Sequence, residues 1–186
     1  MDAFATYADL GLRLKRTFTL DEQPWITALL QDASTYLRED VIGFQVFPQA
    51  TSTFTAWPDG GRIDLPQHPV VSVVAVTRGG VPIVFERRDA SLYVDGDEPI
   101  TVTFTYGFVL PPEGLKRWAC VLVSQALAPI ELELGLTAGG LSSVALDDFK
   151  VAFADAGEST GITLSDRNIK MIRGQYNTGS YVVGMR

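Results

Sequence analysis

Ile100-Thr101-Val102-Thr103-Phe104-Thr105-Tyr106 is the stretch on which the fold turns. Apolar residues at 100, 102, 104 and 106 alternate with three threonines. A period of two puts the two sets on opposite faces of a β-strand, one facing a core and one facing a wetter surface. Just upstream, Leu92-Tyr93-Val94 stops at Asp95-Gly96, a pair that tolerates the positive φ of a hairpin turn, so a hairpin is expected there. Further back, the β-branched run Val70 to Thr77 is broken by Arg78-Gly79-Gly80 and resumes from Val81 to Arg87. Thr51 to Trp57 is β-rich and ends in the turn Pro58-Asp59-Gly60-Gly61. Residues 44–108 therefore read as short strands joined by tight turns, an antiparallel meander or small sandwich.

Helical patterns flank this region. Tyr7, Leu10 and Leu14 have helical spacing, with Thr6 as N-cap and Asp9 three residues on. Thr19 and Glu22 form a capping-box pair, Pro24 sits in the first turn, and Trp25, Ile26, Leu29, Leu30, Ala33, Leu37 and Val41 make an apolar stripe. Pro111-Pro112-Glu113 opens another helix, striped by Leu115, Trp118, Ala119, Leu122, Val123, Ala126 and Leu127; Pro129 is expected to end or kink it. Gly135 to Gly140 reads as a link and Ser143 to Ala154 as extended. Thr163 with Asp166 is expected to cap a last helix that closes at Gly174. The expected fold is α+β: a small helical bundle with an antiparallel β-meander insertion and an extended C-terminal arm. Residues 1–174 would form one domain, with helices at about 6–14, 21–40, 112–128 and 164–174, and residues 175–186 the arm.

Composition narrows the function. The chain has 186 residues, 46% of them hydrophobic, and a net charge of −7. It can bury a core without metal or disulfide, and its acidic balance disfavours a dedicated nucleic-acid binder or attachment to an anionic membrane. Cys120 is the single cysteine, which suits assembly in a reducing cytoplasm. Asp2 and Asp9 stand where a secretory leader would be basic and then apolar, and no segment reaches the ~20 apolar residues that span a bilayer.

A search for reactive groups yields no assembled site. His68, the one histidine, stands between Gln67 and Pro69 with no Ser or Cys motif beside it, and Cys120 lies on a core stripe. One His and one Cys fall short of a structural zinc site, so no metal or cofactor is expected. Asp95, Asp97 and Glu98 lack the ligand spacing of a calcium loop, and no Gly-Gly pair continues into a phosphate loop. The chain is read as a non-enzyme whose function lies in its surfaces.

The order of its motifs resembles a known family. Leu20-Asp21-Glu22, then Leu29-Leu30-Gln31-Asp32-Ala33-Ser34 and Leu37-Arg38, are similar to the N-terminal helix of tailed-bacteriophage head–tail connector (adaptor) proteins. Leu65-Pro66-Gln67-His68-Pro69-Val70-Val71-Ser72-Val73 before a Gly-Gly turn resembles their first core strand and hairpin. Thr103-Phe104-Thr105-Tyr106-Gly107-Phe108, Pro111-Pro112 and Leu115-Lys116 resemble their strand-to-helix passage. Leu164-Ser165-Asp166 and Ile172-Arg173-Gly174-Gln175-Tyr176 complete the series. The β region is larger than in the compact all-helical members. The resemblance implies a structural virion protein at the neck, assembled in the host cytoplasm. It would form a ring, usually a dodecamer, between the portal protein and a tail-side stopper or neck protein, and DNA would pass through it without specific binding.

Within that reading, Tyr176, Tyr181, Val182, Val183 and Met185 are expected to contact the portal or a neighbouring subunit, because they are apolar at a terminus that closes on no element. The alternative from a different class is a β-rich ligand- or carbohydrate-binding module using Trp57, Tyr93 or Tyr106 as stacking platforms. A hydrolase is disfavoured for want of a nucleophile–base pair.

Overall fold

A computed structural model of the chain describes residues 2–133 and 163–176. The expected link at Gly135 to Gly140, the extended stretch Ser143 to Ala154 and the arm residues beyond Tyr176 lie outside the described residues. The fold is α+β with antiparallel sheets. Its described residues divide into two compact units: 2–41 with 111–133 and 163–169, and 42–110 with 170–176.

In the first unit, α1 (Tyr7–Leu14), α2 (Glu22–Tyr36) and α3 (Glu113–Glu133) pack on one another. Thr6 and Asp9 make the expected capping box: the Thr6 hydroxyl accepts from the Asp9 amide at 3.2 Å, and the Asp9 carboxylate accepts from the Thr6 amide at 2.8 Å. Behind α1 the chain folds so closely over Gly11 that a Cβ there would lie 2.6 Å from the Arg16 carbonyl oxygen, which explains the glycine. The Thr19–Glu22 pair is half a capping box. Glu22 accepts from the Thr19 amide at 2.7 Å, but the Thr19 hydroxyl donates to the same carboxylate instead of capping the helix. Glu22 is buried and also pairs with Arg16.

The expected helix at 21–40 changes pitch at its end. It is α-helical to Tyr36 and continues as a π-helical turn, Leu37–Ile42, in which Leu37, Val41 and Ile42 are all buried. Arg38 in this turn is buried too, with its guanidinium 4.8 Å from the Phe4 ring and an N–H donating to the Asp2 carbonyl at 2.8 Å. The Phe4 amide donates to Ser34 Oγ at 2.8 Å. These contacts hold the N-terminal residues to α2. Helix α3 does not stop at Pro129 as expected; it runs on to Glu133. Proline removes one helical hydrogen bond, and the preceding turns, fixed through buried Leu115, Ala119, Leu122, Val123 and Ala126, carry the axis past it.

The second unit holds β1 (Ala50–Ala56), β2 (Arg62–Asp64), β3 (Val70–Arg78), β4 (Val81–Pro82), β5 (Glu86–Arg88), β6 (Ser91–Tyr93) and β7 (Ile100–Tyr106). They form a four-stranded sheet ordered β1-β7-β3-β4 and a three-stranded sheet ordered β2-β6-β5. The alternation in β7 holds: Ile100, Val102, Phe104 and Tyr106 are buried and the threonines are not. Ile63 and Leu92 of the smaller sheet, with Leu65 just after β2, join them in one core, and the Phe54 ring is edge-on to Phe104 at 5.7 Å.

The strand order is not that of a simple meander. The Gly79-Gly80 hairpin joins β3 to β4 as expected, but Asp95-Gly96 does not make a hairpin of β6 and β7. Gly96 does turn at positive φ, yet β7 pairs with β1 and β3 while β6 pairs with β2 and β5. The most regularly alternating strand takes the central position, where both its edges are satisfied, and residues 95–99 cross between sheets. Arg78 secures that crossing by donating to the Asp95 carbonyl, with Glu98 3.8 Å away. Among the described residues no helix is long and apolar enough to cross a membrane.

Candidate functional site

The expected arm begins from α4 (Asp166–Tyr176). Ser165, not Thr163, caps it: its hydroxyl accepts from the Asn168 amide at 3.4 Å, and its carbonyl accepts from Ile169 at 3.0 Å. Nor does Gly174 close the helix, which continues to Tyr176. Gly174 keeps ordinary helical backbone, a cost of about 1 kcal/mol against alanine that a helix can carry. The first residue assigned to the arm, Gln175, is thus helical. Arg167, Lys170 and Arg173 recur at i, i+3 and i+6 on exposed surface, Met171 is also exposed, and Ile172 is buried. Of the expected contact residues, Tyr176 is described: it is half-buried, and burial pushes its phenol above the ordinary range. Tyr181, Val182, Val183 and Met185 lie outside the described residues.

The second unit contributes a cleft of about 920 Å³ lined by Arg62, Asp64, His68, Arg87, Arg88, Ser91 and Tyr93, among others. Asp64 is its polar centre. It accepts from Arg62 Nε at 2.8 Å and from Ser91 Oγ at 2.6 Å. Burial raises its pKa, but Ser91, Arg62 and the nearby His68 lower it further, so the carboxyl lies below its ordinary range. Burial pushes His68 down, against the pull of Asp64, and the imidazole meets Phe44 edge-on at 5.6 Å. Arg87 spans the Val70, Val71 and Asp89 carbonyls at 2.7–3.2 Å. Arg88 pairs with Glu86 and lies 4.9 Å from the Tyr93 ring.

Ser91, Asp64 and His68 thus meet in one place, but in the wrong order for acyl transfer. The serine proton goes to the aspartate and not to the imidazole. Sequence reading missed this cluster. Arg62 and Asp64, two apart on a strand, were a visible same-face pair, whereas Ser91 lies 27 positions from Asp64 and arrives only through the β2–β6 register. Cys120 is buried, and burial raises its thiol pKa. Among the described residues no three His, Cys, Asp or Glu side chains are grouped to hold a metal. Trp57 is 72% exposed, Tyr93 is half-buried under Arg88, and Tyr106 belongs to the core and offers no stacking face.

The outer face of the larger sheet is a ladder of threonines. Thr51–Thr105, Thr53–Thr103 and Thr55–Thr101 are directly opposed and hydrogen-bonded through their hydroxyls at 3.0, 2.8 and 3.0 Å. Beyond them β1 is an outer strand, paired on one edge only among the described residues. No protein-family model matches the chain, and no curated sequence does.

Proposed function

We propose that this chain is a structural head–tail adaptor of a tailed bacteriophage. In this reading it forms a ring at the virion neck, between the portal and a tail-side protein, and DNA passes through it. The observation that carries the reading is the passage from α4 into the tail. A helix with Arg167, Lys170 and Arg173 on exposed surface, in a chain of net charge −7, leads into residues 177–185, which carry no charge and include Tyr181, Val182, Val183 and Met185. Such a pairing suits a docking element: the basic side meets an acidic surface and orients the approach, and the apolar tail buries area once seated. The resemblance in motif order supports the same reading, and a ring is the assembly that head-to-tail contacts give when their rotation closes.

The test is co-sedimentation with the portal protein encoded in the same genome. Truncation after Tyr176 should abolish docking. Arg167→Glu/Lys170→Glu should weaken it about ten-fold or more, through electrostatics, with the melting temperature unchanged. If docking survives truncation and only stability falls, the tail belongs to its own core and the reading is wrong.

A further inference from the structure

We propose that the outer edge of β1, which pairs with no strand among the described residues, seats residues 178–184 from the tail of an adjacent copy, which add to the four-stranded sheet as a fifth strand. This rests on the reading of the chain as a ring-forming adaptor and specifies one of its contacts.

Among the described residues the two sheets have four outer strands, and three of them are poor templates. β4 is two residues long and contains Pro82; β5 is Glu86-Arg87-Arg88; β2 is three residues with Arg62 and Asp64 at its ends. Short length, proline and charge are the means by which proteins keep outer strands from pairing with other chains. β1 has none of them. Ala50-Thr51-Ser52-Thr53-Phe54-Thr55-Ala56 is seven residues long, uncharged and free of proline, and it is in unbroken register with β7. A strand of that length presents a row of backbone donors and acceptors suited to strand addition.

The tail has the matching chemistry. Thr178-Gly179-Ser180-Tyr181-Val182-Val183-Gly184 is also seven residues, uncharged, and holds a Tyr-Val-Val run of high strand propensity. Seated on β1, its period of two would set Tyr181 and Val183 beside Phe54 on the core side, and Ser180 and Val182 beside the threonine ladder. Ten residues of the sequence lie beyond Tyr176, an extended reach of about 33 Å. A chain that gives its tail to one neighbour and receives another on β1 makes a heterologous contact, the kind that closes a ring.

The test uses the full-length chain carrying Val182→Pro, which disables its own tail as a strand, and a synthetic peptide of residues 177–186. Amide exchange is followed residue by residue. The β1 amides that do not bond β7 should slow about ten-fold or more, saturably, as peptide is added, while a Val182→Pro peptide has no effect. The proposal is overturned if millimolar peptide leaves β1 unchanged or protects another strand. It is equally overturned if dilute, monomeric wild-type chain already protects β1 relative to the Val182→Pro chain, since its own tail then occupies the edge. Seating on β1 without portal docking would defeat the adaptor reading alone; docking without seating would defeat this inference alone.

Discussion

Glu22 shows how much one side chain can hold at the start of a helix. It is buried, and burial by itself raises its pKa; the Thr19 amide, the Thr19 hydroxyl and Arg16 lower it more, so the net value falls below the ordinary 4.5. A carboxyl whose folded pKa is depressed contributes stability above its unfolded pKa and loses that contribution as pH falls through the folded value. Glu22→Gln should therefore cost about 1–3 kcal/mol at pH 7. In urea unfolding across pH, the gap between wild type and variant should narrow below about pH 4.5. A gap independent of pH would show that the charge of Glu22 contributes nothing. The Thr19–Glu22 pair was legible because its members are three apart. The Phe4–Ser34 and Asp2–Arg38 hydrogen bonds, 30 and 36 positions apart, were not, because only the tertiary fold brings those residues together.

At the scale of elements, local periodicity was readable and long-range choice of partner was not. The alternation of β7 predicts which face is buried, and Phe104→Ala should cost about 3–5 kcal/mol, since Phe104 is fully buried against Phe54 and Tyr106. Thr103→Val, on the opposite face, should change stability by only about 0.5 kcal/mol, the loss of one exposed hydroxyl pair. Equal losses in thermal melts of the two variants would contradict this assignment of faces. Asp95-Gly96 carries correct turn chemistry, yet the turn leads into another sheet, because β7 buries more as a centre strand than as half of a hairpin with three-residue β6. Pro129 misled for a related reason: a breaker removes one hydrogen bond, while the packing of the turns before it fixes the helix axis.

Across the whole molecule, the described residues give two compact units, a helix with exposed basic residues and a long uncharged outer strand, the features from which the proposed assembly role is argued. The α+β class followed from patterns along the chain, because each element stated its own period. The candidate surfaces were only partly legible. The tail can be picked out from sequence only as an apolar stretch, whereas the Asp64 cluster and the outer side of β1 depend on strand order, which short-range patterns do not encode. The proposed docking of this chain on a portal as a ring can be seen by cryo-electron microscopy of portal particles incubated with the full-length chain. An added ring of density should stack on the portal's tail-facing end and be lost on truncation after Tyr176. Portal particles that gain no density at saturating chain would contradict it.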